Sequence, residues 1–489
     1  MDEVLDALNA AAPFPLGDAA LVVVPLLYAV GLATAVDAVM SSRTPQGATA
    51  WVFALIAFPL AAVPLYWLVG RFSFGDYLDA LDDFGDATEA QLCERLGEPP
   101  FVPEPGQGRD AGEERAFGRL GTIPFTCGNS ARLLVDGEAT FEALFAAIDR
   151  AEHYVLAQFY IVHSDRIGLD FQARLLGAAA RGVRVHLLFD AVGSMGLGRR
   201  YVRTLRAGGV EVSPFTGPRN WLKKLRLNFR NHRKIVVVDG RTAFVGGLNV
   251  GDEYLGRNRK IGPWRDTHLA VEGPTVQALQ LSFARDGFYA RRTEIAGLEW
   301  EPRAATADTT ALVLSSGPSD VVETCGLLYT HAIESAEERL WIATPYFVPD
   351  GRILAALELA ALRGADVRVL MPRTSDGFLF TFAPYAFLDE ITRVGVRVFL
   401  YEEGFMHQKV ALVDRDFATV GTANFDNRSF RLNFETTVVV RDEAFCDAAA
   451  RMLEADFARA TPLTRADLEG KSFAFRFAAS ATRLLAPVL

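Results

Sequence analysis

Two stretches of this chain repeat one short pattern, and the rest of the sequence is interpreted around them. They read Asn231-His232-Arg233-Lys234-Ile235-Val236-Val237-Val238-Asp239-Gly240 and Met406-His407-Gln408-Lys409-Val410-Ala411-Leu412-Val413-Asp414-Arg415. Each contains His-x-Lys-x-x-x-x-Asp. Counted from the histidine, a glycine lies fourteen residues later and an asparagine seventeen residues later in both copies: Gly246 and Asn249, then Gly421 and Asn424. Agreement at five positions indicates a duplicated functional element.

Each copy predicts a β-hairpin. The apolar runs 235–238 and 410–413 end in turn-forming residues, and a second apolar run follows each turn. Histidine and lysine two residues apart on a strand point to the same face. A turn centred between the first and second residues after the aspartate places each asparagine opposite its histidine. The predicted pairs are Asn249 with His232 and Asn424 with His407.

The two motif aspartates are predicted to close these turns. Seven residues of strand, or about 23 Å, separate each aspartate from its histidine, and aspartate is favoured at the first position of a turn. The candidate catalytic set is therefore the six motif residues, of which the aspartates fix turns and do not contact the substrate. These residues are His232, Lys234, Asp239, His407, Lys409 and Asp414.

Histidine, lysine and asparagine converging on one point suit a tetrahedral phosphate. A neutral imidazole can attack phosphorus to form a phosphohistidine, while a second histidine acts as general acid to the leaving alkoxide and then as general base to the acceptor. We assign His232 as the nucleophile and His407 as the acid and base, although the symmetry of the copies supports the reverse almost equally. Four further side chains are predicted to hold the phosphate: Lys234, Lys409, Asn249 and Asn424.

With these motifs the chain resembles the phospholipase D superfamily and, within it, the bacterial cardiolipin synthases. The resemblance covers nearly the whole sequence. It rests on four further runs, Gly246-Gly247-Leu248-Asn249-Val250-Gly251-Asp252-Glu253-Tyr254, Trp264-Arg265-Asp266-Thr267-His268, Thr344-Pro345-Tyr346-Phe347-Val348-Pro349-Asp350, and Gly421-Thr422-Ala423-Asn424-Phe425-Asp426-Asn427-Arg428-Ser429-Phe430 continuing to Asn433-Phe434-Glu435.

The resemblance implies that two phosphatidylglycerol molecules are joined into cardiolipin with release of glycerol, without a metal or other cofactor. It implies an anionic phospholipid and the bilayer as partners, at the bacterial inner membrane. The sequence departs from the family at Gln408, where a small residue is usual, and at Asp286-Gly287-Phe288, where tryptophan commonly follows the aspartate. We expect both departures to affect substrate preference more than reaction class.

Four residues in these runs are candidates for supporting the catalytic groups: His268, Arg428, Ser429 and Glu435. Arg428 and Glu435 have two interpretations. They pair with each other, which is the simpler expectation, or they orient the phosphate and a catalytic histidine.

Alternative functions remain open from the sequence. A phospholipase D would use water and release phosphatidic acid, and a related transferase would use phosphatidylethanolamine or another alcohol. A nucleic-acid phosphodiesterase is disfavoured because the net charge is −10, whereas a nucleic-acid-binding domain is expected to be basic. A catalytically inactive lipid-binding scaffold is disfavoured by intact His, Lys and Asn in both copies. The oligomeric state is not determined by the sequence.

The fold class is predicted to be α/β, with two similar phospholipase D-like halves. Strands alternate with helices in each half, which predicts mixed sheets covered by helices, and duplicated halves suggest a pseudo-two-fold with one shared active site. We place the halves at residues 117–305 and 306–489, after an acidic linker at 73–116. The linker holds twelve acidic and three basic residues and is interpreted as a charged linker or a loosely packed helix pair.

Residues 1–72 are predicted to be a membrane anchor. The apolar stretches 19–40 and 48–69 are each long enough to span about 30 Å of hydrocarbon. Two spans make a multi-pass protein with both tails on one side. The four cysteines have no paired spacing, which indicates neither a disulfide frame nor a zinc site and favours a cytoplasmic catalytic domain.

Three stretches carry weaker information. The basic, aromatic run 221–230 is interpreted as a solvated helix face or as a grip on anionic headgroups. The apolar run 377–388 would dip into the membrane interface, line an acyl-chain groove or belong to the core. The tail 473–489 has arginines among phenylalanine and leucine, and it is either an interfacial helix or an ordinary packed terminus.

Overall fold

Both repeated stretches fold as β-hairpins. In the computed structural model, β6 (Ile235–Val238) pairs antiparallel with β7 (Thr242–Gly246). In the same way, β16 (Val410–Val413) pairs with β17 (Phe417–Gly421). The structure describes residues 16–42, 45–70, 75–82, 84, 86–104, 109–216, 229–375 and 377–486. Most of the basic run 221–230 lies outside the described residues.

The predicted register of both hairpins is wrong by one residue. Ile235 faces Val245 and Val410 faces Val420, so each loop holds three residues. The aspartate that opens each loop adopts a left-handed conformation, with φ of 54° at Asp239 and 48° at Asp414. A residue in this region lets a three-residue loop close between twisted strands, which accounts for the shift. The ladder therefore does not set the two asparagines opposite their histidines.

The hairpins belong to one sixteen-stranded mixed sheet. Its other strands are β1 (Thr126–Val135), β2 (Tyr154–Phe159), β3 (Arg184–Asp190), β4 (Glu211–Phe215), β5 (Arg230–Asn231), β9 (Thr267–Glu272), β10 (Thr309–Ser316), β11 (Arg339–Ala343), β13 (Asp366–Pro372), β14 (Arg397–Tyr401), β19 (Asn433–Arg441) and β20 (Ala460–Leu463). Four two-residue strands form two short pairs: β8 (Trp264–Arg265) with β15 (Phe405–Met406), and β12 (Phe347–Val348) with β18 (Phe425–Asp426).

The sheet order is symmetric about its centre, apart from the edge strand β20, which pairs antiparallel with β14 in the second half only. It runs β20-β14-β13-β11-β16-β17-β19-β10-β1-β9-β7-β6-β2-β3-β4, with β5 pairing β19 off this path. Outward from the central β1–β10 pair, each half has one long strand, then the hairpin, then three parallel strands. The predicted two-fold relation of two α/β halves is confirmed, and the two sheets join into one.

Helices cover the sheet. Those of the first half are α7 (Asp136–Arg150), α8 (Arg166–Ala180), α9 (Arg199–Ala207) and α10 (Thr275–Arg291), and those of the second are α11 (Thr324–Ser335), α12 (Gly351–Leu362), α13 (Phe378–Phe382), α14 (Tyr385–Arg393), α15 (Asn427–Arg431), α16 (Glu443–Phe457), α17 (Arg465–Glu469) and α18 (Phe473–Arg483). Each half has its own apolar core, with Phe141 and Phe171 in the first and Tyr329 and Leu357 in the second.

The N-terminal region forms a separate compact unit from the sheet-containing one. Its helix α1 (Leu16–Ser41) contains the one segment of the described chain, Leu21–Ser41, that is long and apolar enough to cross a membrane, with a mean hydropathy of 2.0. The second predicted span is divided into α2 (Pro45–Ala57), α3 (Pro59–Leu65) and a π-helical turn (Tyr66–Gly70). Pro59 has no amide hydrogen to continue α2, so a single unbroken second span is not present.

The acidic segment is helical. It contains α4 (Gly75–Asp82), α5 (Asp86–Leu96) and α6 (Arg109–Leu120). Tyr77 of α4 is buried and donates a hydrogen bond to Asp286 of α10 at 2.8 Å, and Arg441 of β19 pairs with Glu114 of α6 at 2.8 Å. These helices are packed parts of the same compact unit as the sheet, in place of a loose linker.

Candidate active site

His232 is held by the opposite half of the molecule. Its backbone N–H donates to the carbonyl of Phe434 at 2.9 Å, because β5 runs parallel to the start of β19. Its Nδ1 lies 3.0 Å from both carboxylate oxygens of Glu435. Two bonds to adjacent residues fix the position and the plane of the ring. When Nδ1 carries the ring proton and donates it to the carboxylate, Nε2 keeps its lone pair and is available as a nucleophile or base.

His407 repeats this arrangement in the other direction. Its backbone N–H donates to the carbonyl of Arg265 at 2.7 Å, where β15 runs parallel to β8. Its Nδ1 lies 2.9 Å from Asp266, the next residue along the chain. Each half therefore supplies one histidine and the carboxylate that orients the histidine of the other half.

The two lysines lie beside their histidines and are buried. Lys234 donates from Nζ to the carbonyl of His232 at 2.7 Å, and Lys409 donates to the carbonyl of His407 at 2.5 Å. Burial, together with the charge of Lys409, lowers the pKa of Lys234 well below its usual value, although Glu435 opposes this shift. Each histidine contacts a carboxylate of the opposite half, so the two lysines beside them belong to one site.

Both catalytic candidates are neutral imidazoles at pH 7. The pKa of His232 is lowered to about 4 and that of His407 to about 3, with burial as the largest cause. The lysine charges contribute to this lowering, and the facing carboxylates offset part of it. In each case the lysine of the other motif also lowers the pKa, so the two motifs lie close enough to interact electrostatically.

The motif aspartates lie at the closed ends of the hairpins. The Asp239 carboxylate accepts backbone N–H bonds from residues 152, 153 and 154 at 2.8–2.9 Å. Asp414 accepts three from residues 337, 338 and 339 at 2.6–2.8 Å. Each carboxylate thus ties a hairpin turn to the start of the neighbouring strand, β2 or β11.

The asparagines occupy the segments that follow β7 and β17. Asn249 accepts the N–H of Ile161 at 3.0 Å and donates to the Tyr254 hydroxyl at 3.0 Å. Asn424 donates to Asp426 at 3.2 Å, and its buried Oδ1 has no hydrogen-bond partner among the residues that the structure describes. Both amides are buried and anchored, so loop contacts, not strand pairing, set their positions.

Glu435, Ser429 and Arg428 are three of the candidates for supporting the catalytic groups. The Glu435 carboxylate accepts bonds from Ser429 at 2.9 Å, from Thr422 at 2.5 Å and from Asn433 at 3.1 Å in addition to His232. With both oxygens engaged in this way, Glu435 orients a histidine. Arg428, one residue before Ser429 in α15, has a pKa lowered by burial and by Arg230.

His268 lies on β9, the strand next to the first hairpin in the sheet. It pairs with Gly246 across β9 and β7, and its Nδ1 accepts the N–H of Leu248 at 3.4 Å. Burial lowers its pKa to about 4. It therefore supports the loop that leads to Asn249 and is a neutral side chain at pH 7.

Sequence reasoning missed Asp266 as a partner of His407. The signal was present, since each half has a carboxylate on the segment after its hairpin, 34 residues after His232 and 28 residues after His407. It also missed the aromatic walls of the site. Ring centroids of Tyr160 lie 5.0 Å from His232, and those of Trp264 and Tyr346 lie 5.0 and 6.3 Å from His407.

The two departures from the family pattern, at Gln408 and at Gly287-Phe288, are buried. Gln408 is fully buried, accepts from Thr267 at 2.9 Å and donates to Asp456 at 2.9 Å. Asp286 accepts four buried hydrogen bonds, from Tyr77, Gln158, Asn231 and Arg233. Gln408 and the aspartate that precedes Gly287 thus join structural elements, and the expected effect of the two departures on substrate preference stays a prediction.

Among the described residues, no three His, Cys, Asp or Glu side chains cluster as a metal site. The chemistry available is that of two neutral histidines, each oriented by a carboxylate, with two buried ammonium groups beside them. A pseudo-symmetric pair of His-x-Lys hairpins in one continuous sheet defines the phospholipase D class of proteins.

Comparisons with known proteins agree with this class. The family model described as cardiolipin synthase, PLD-like domain, matches residues 144–285 and 329–459, and the phospholipase D-nuclease N-terminal model matches residues 29–71. Cardiolipin synthase A of Pseudomonas fluorescens is 44% identical over 95% of this chain and 98% of its own length. Cardiolipin synthase A of Pseudomonas entomophila is 43% identical over 95% of this chain and 97% of its own length.

Among solved structures, phosphatidylserine synthase of Haemophilus influenzae has the same fold. The TM-score is 0.58 at 14% identity, over 77% of this chain and all of that chain. The chain belongs to the cardiolipin synthase family of phospholipase D-like proteins, and it is an enzyme of the phosphatidyltransferase type.

Proposed function

We propose that this enzyme joins two phosphatidylglycerol molecules into cardiolipin and releases glycerol. The observation that carries the proposal is the pairing of two neutral histidines, each oriented by a carboxylate of the opposite half, beside two buried lysines. Phosphatidyl transfer needs one group to attack phosphorus and another to move a proton. The site has one histidine for each task.

In the first step, Nε2 of His232 attacks the phosphorus of the donor lipid. A P–N bond forms, the bond from phosphorus to the glycerol headgroup oxygen breaks, and His407 gives that oxygen its proton. Lys234 and Lys409 stabilise the charge that builds on the non-bridging oxygens. Asn249 and Asn424 supply neutral donors to the same oxygens.

In the second step, the terminal hydroxyl of the acceptor phosphatidylglycerol replaces glycerol. His407, now neutral, takes the hydroxyl proton as the oxygen attacks phosphorus and the P–N bond to His232 breaks. The products are cardiolipin and the free enzyme. The reverse assignment of the two histidines gives the same balance.

The lowered pKa values suit His232 as a nucleophile, but they do not suit His407 as a general acid. A neutral His232 is ready to attack at pH 7, whereas His407 must carry a proton when the alkoxide leaves. The phosphodiester anion of the bound lipid raises the pKa of His407, because a negative charge a few ångströms from an imidazole favours its protonated form. Asp266 acts in the same direction. Protonation of His407 therefore follows substrate binding.

Hydrolysis to phosphatidic acid is the competing outcome. An alcohol acceptor outcompetes water only where the phosphohistidine is shielded, and the aromatic rings of Tyr160, Trp264 and Tyr346 line both histidines. This lining supports transfer over hydrolysis. Phosphatidylethanolamine or another alcohol as second substrate would use the same two steps.

The proposal includes the organisation of the chain. Residues 1–72 anchor the enzyme with two spans in the bacterial inner membrane, and residues 117–305 and 306–489 form the halves, on the cytoplasmic side. Helices α4 to α6 of the acidic segment 73–116 pack with the halves. Support for the anchor comes from the apolar helix Leu21–Ser41, and the shorter apolar helix Pro59–Leu68 lies in the second span.

Purified full-length enzyme in phosphatidylglycerol vesicles tests the reaction. We expect cardiolipin and glycerol in equal amounts, and predominant phosphatidic acid would instead identify a hydrolase. His232→Ala and His407→Ala variants, incubated with labelled lipid, test the assignment. A phospho-enzyme should accumulate only when His232 is present, and its survival in His232→Ala would reverse the roles.

A further inference from the structure

The C-terminal helix α18 has two apolar faces, of which one is packed. Phe475 contacts Phe382 of α13 and Tyr385 of α14, with ring centroids 5.1 and 5.0 Å apart. Ala479 and Thr482, on the same side, are buried. The helix is therefore a folded part of the second half, so its other side chains are held in fixed directions.

The opposite face presents large apolar side chains to solvent. Phe473, Phe477 and Leu484 are 77%, 66% and 82% exposed. Their spacing of four and seven residues places them on one side of a helix. The Phe473 and Phe477 rings also stack, with centroids 6.3 Å apart. A rigid apolar stripe of this kind marks a binding surface.

The charge around the stripe is positive. Residues 470–489 contain Lys471, Arg476 and Arg483 and no acidic residue, in a chain whose net charge is −10. Arg483 pairs with Glu390 of α14 at 3.5 Å. Arg476 is exposed and makes no ion pair within the described part of the chain. Asp389 of α14 already pairs with Arg393 at 2.6 Å.

The packed face links α18 to the active site. Phe475 contacts Phe382 of α13, Phe380 of the same short helix lies 4.2 Å from Tyr346 by ring centroids, and Tyr346 borders His407. The apolar stripe thus lies on the outer side of the aromatic wall that lines one catalytic histidine.

We propose that the exposed face of α18 docks on the surface of an anionic phospholipid bilayer, with Phe473, Phe477 and Leu484 inserted and Arg476 at the headgroups. Such a helix lies in the plane of the interface. A second copy of the chain fits this surface less well than a bilayer does. Three side chains expose on the order of 400 Å², about half of the ~800 Å² per partner that a stable dimer buries.

This docking deepens the proposed function, since it brings the wall beside His407 to the surface that holds the substrate. Insertion of α18 into the bilayer does not require turnover, so docking can be measured separately from catalysis. A test on an inactive variant therefore separates the two.

Full-length His232→Ala protein, with Cys93→Ser and Cys127→Ser, is labelled at Phe477→Cys with an environment-sensitive fluorophore and reconstituted into vesicles. The vesicles contain phosphatidylglycerol and phosphatidylcholine, with spin-labelled lipid as quencher. A matched control carries the label at Leu362→Cys, on the exposed side of α12, where the native side chain is 67% exposed.

Spin-labelled lipid should quench the label at position 477 at least about twofold more than at position 362, and omission of phosphatidylglycerol should reduce the difference, since anionic lipid attracts basic helices. Equal quenching at the two positions would overturn the proposal. A label at 477 that is shielded from both lipid and aqueous quenchers, with twice the monomer mass in detergent, would assign the face to a second copy.

Discussion

Glu435 of the second half holds His232 of the first, with Nδ1 3.0 Å from both carboxylate oxygens. Asp266 of the first half holds His407 of the second in the same way at 2.9 Å. The exchange makes the two halves interdependent, because neither contains a histidine together with its orienting carboxylate. A single half is an incomplete site, although it carries a full motif.

Replacing Glu435 by Gln should lower kcat by about 10²- to 10⁴-fold, the range seen when a carboxylate that orients a catalytic histidine is removed. Glutamine fills the same space, but its amide cannot accept every bond that Ser429, Thr422 and Asn433 donate to the carboxylate, so the thermal midpoint should fall as well and kcat is measured on the folded fraction. Glu435→Asp is the control and should recover part of the rate. A variant that keeps wild-type kcat and pH profile would show that the contact is only structural.

The pH dependence of kcat/KM reports the pKa of the nucleophilic histidine in the free enzyme. Because the pKa of His232 is about 4, activity should fall on the acid side near pH 4 and not near 6.5. Glu435 raises this pKa, so in Glu435→Gln the acid limb should move to lower pH. The profile is measured with phosphatidylglycerol in detergent micelles, and an acid limb at pH 6 to 7 would contradict the assignment.

Lys234→Met and Lys409→Met should each lower kcat by at least about 10²-fold, because each removes a charge directed at the phosphorane. Folding should be retained, since both lysines are buried and methionine occupies a similar volume. Thermal midpoint and specific activity are measured together. Loss of activity that accompanies loss of fold would not support a role in charge stabilisation.

Asp239→Asn should chiefly lower stability, by about 1–3 kcal/mol, because the amide cannot replace a carboxylate that accepts three backbone N–H bonds. Asparagine tolerates the left-handed conformation at this position. The folded fraction should therefore keep much of its specific activity. Wild-type melting with activity as low as in Lys234→Met would place this aspartate at the substrate.

Gln408→Ala should lower the free energy of unfolding by about 1–3 kcal/mol, since it leaves the buried Thr267 hydroxyl without its acceptor. The product ratio with phosphatidylglycerol and competing alcohols should be unchanged. Chemical denaturation and product analysis measure the two quantities. An altered ratio with unchanged stability would show that this position affects substrate preference, as expected from the sequence.

The sequence by itself determined the duplicated motif, the two α/β halves, the hairpins and the chemical set of two histidines and two lysines. These features are local, since strand periodicity and turn residues act over a few positions. The turn role predicted for Asp239 agrees with its bonds to the start of β2. The roles of the site residues remain predictions.

Only the tertiary structure decided which carboxylate meets which histidine. The hairpin register was wrong by one residue because a left-handed Asp239 or Asp414 adds a residue to the loop, and turn composition does not fix loop length. Glu435 and Asp266 reach the opposite half because β5 and β15 cross over to run beside β19 and β8. Contacts between residues 203 and 141 positions apart depend on how the two halves pack, and no local periodicity encodes that packing.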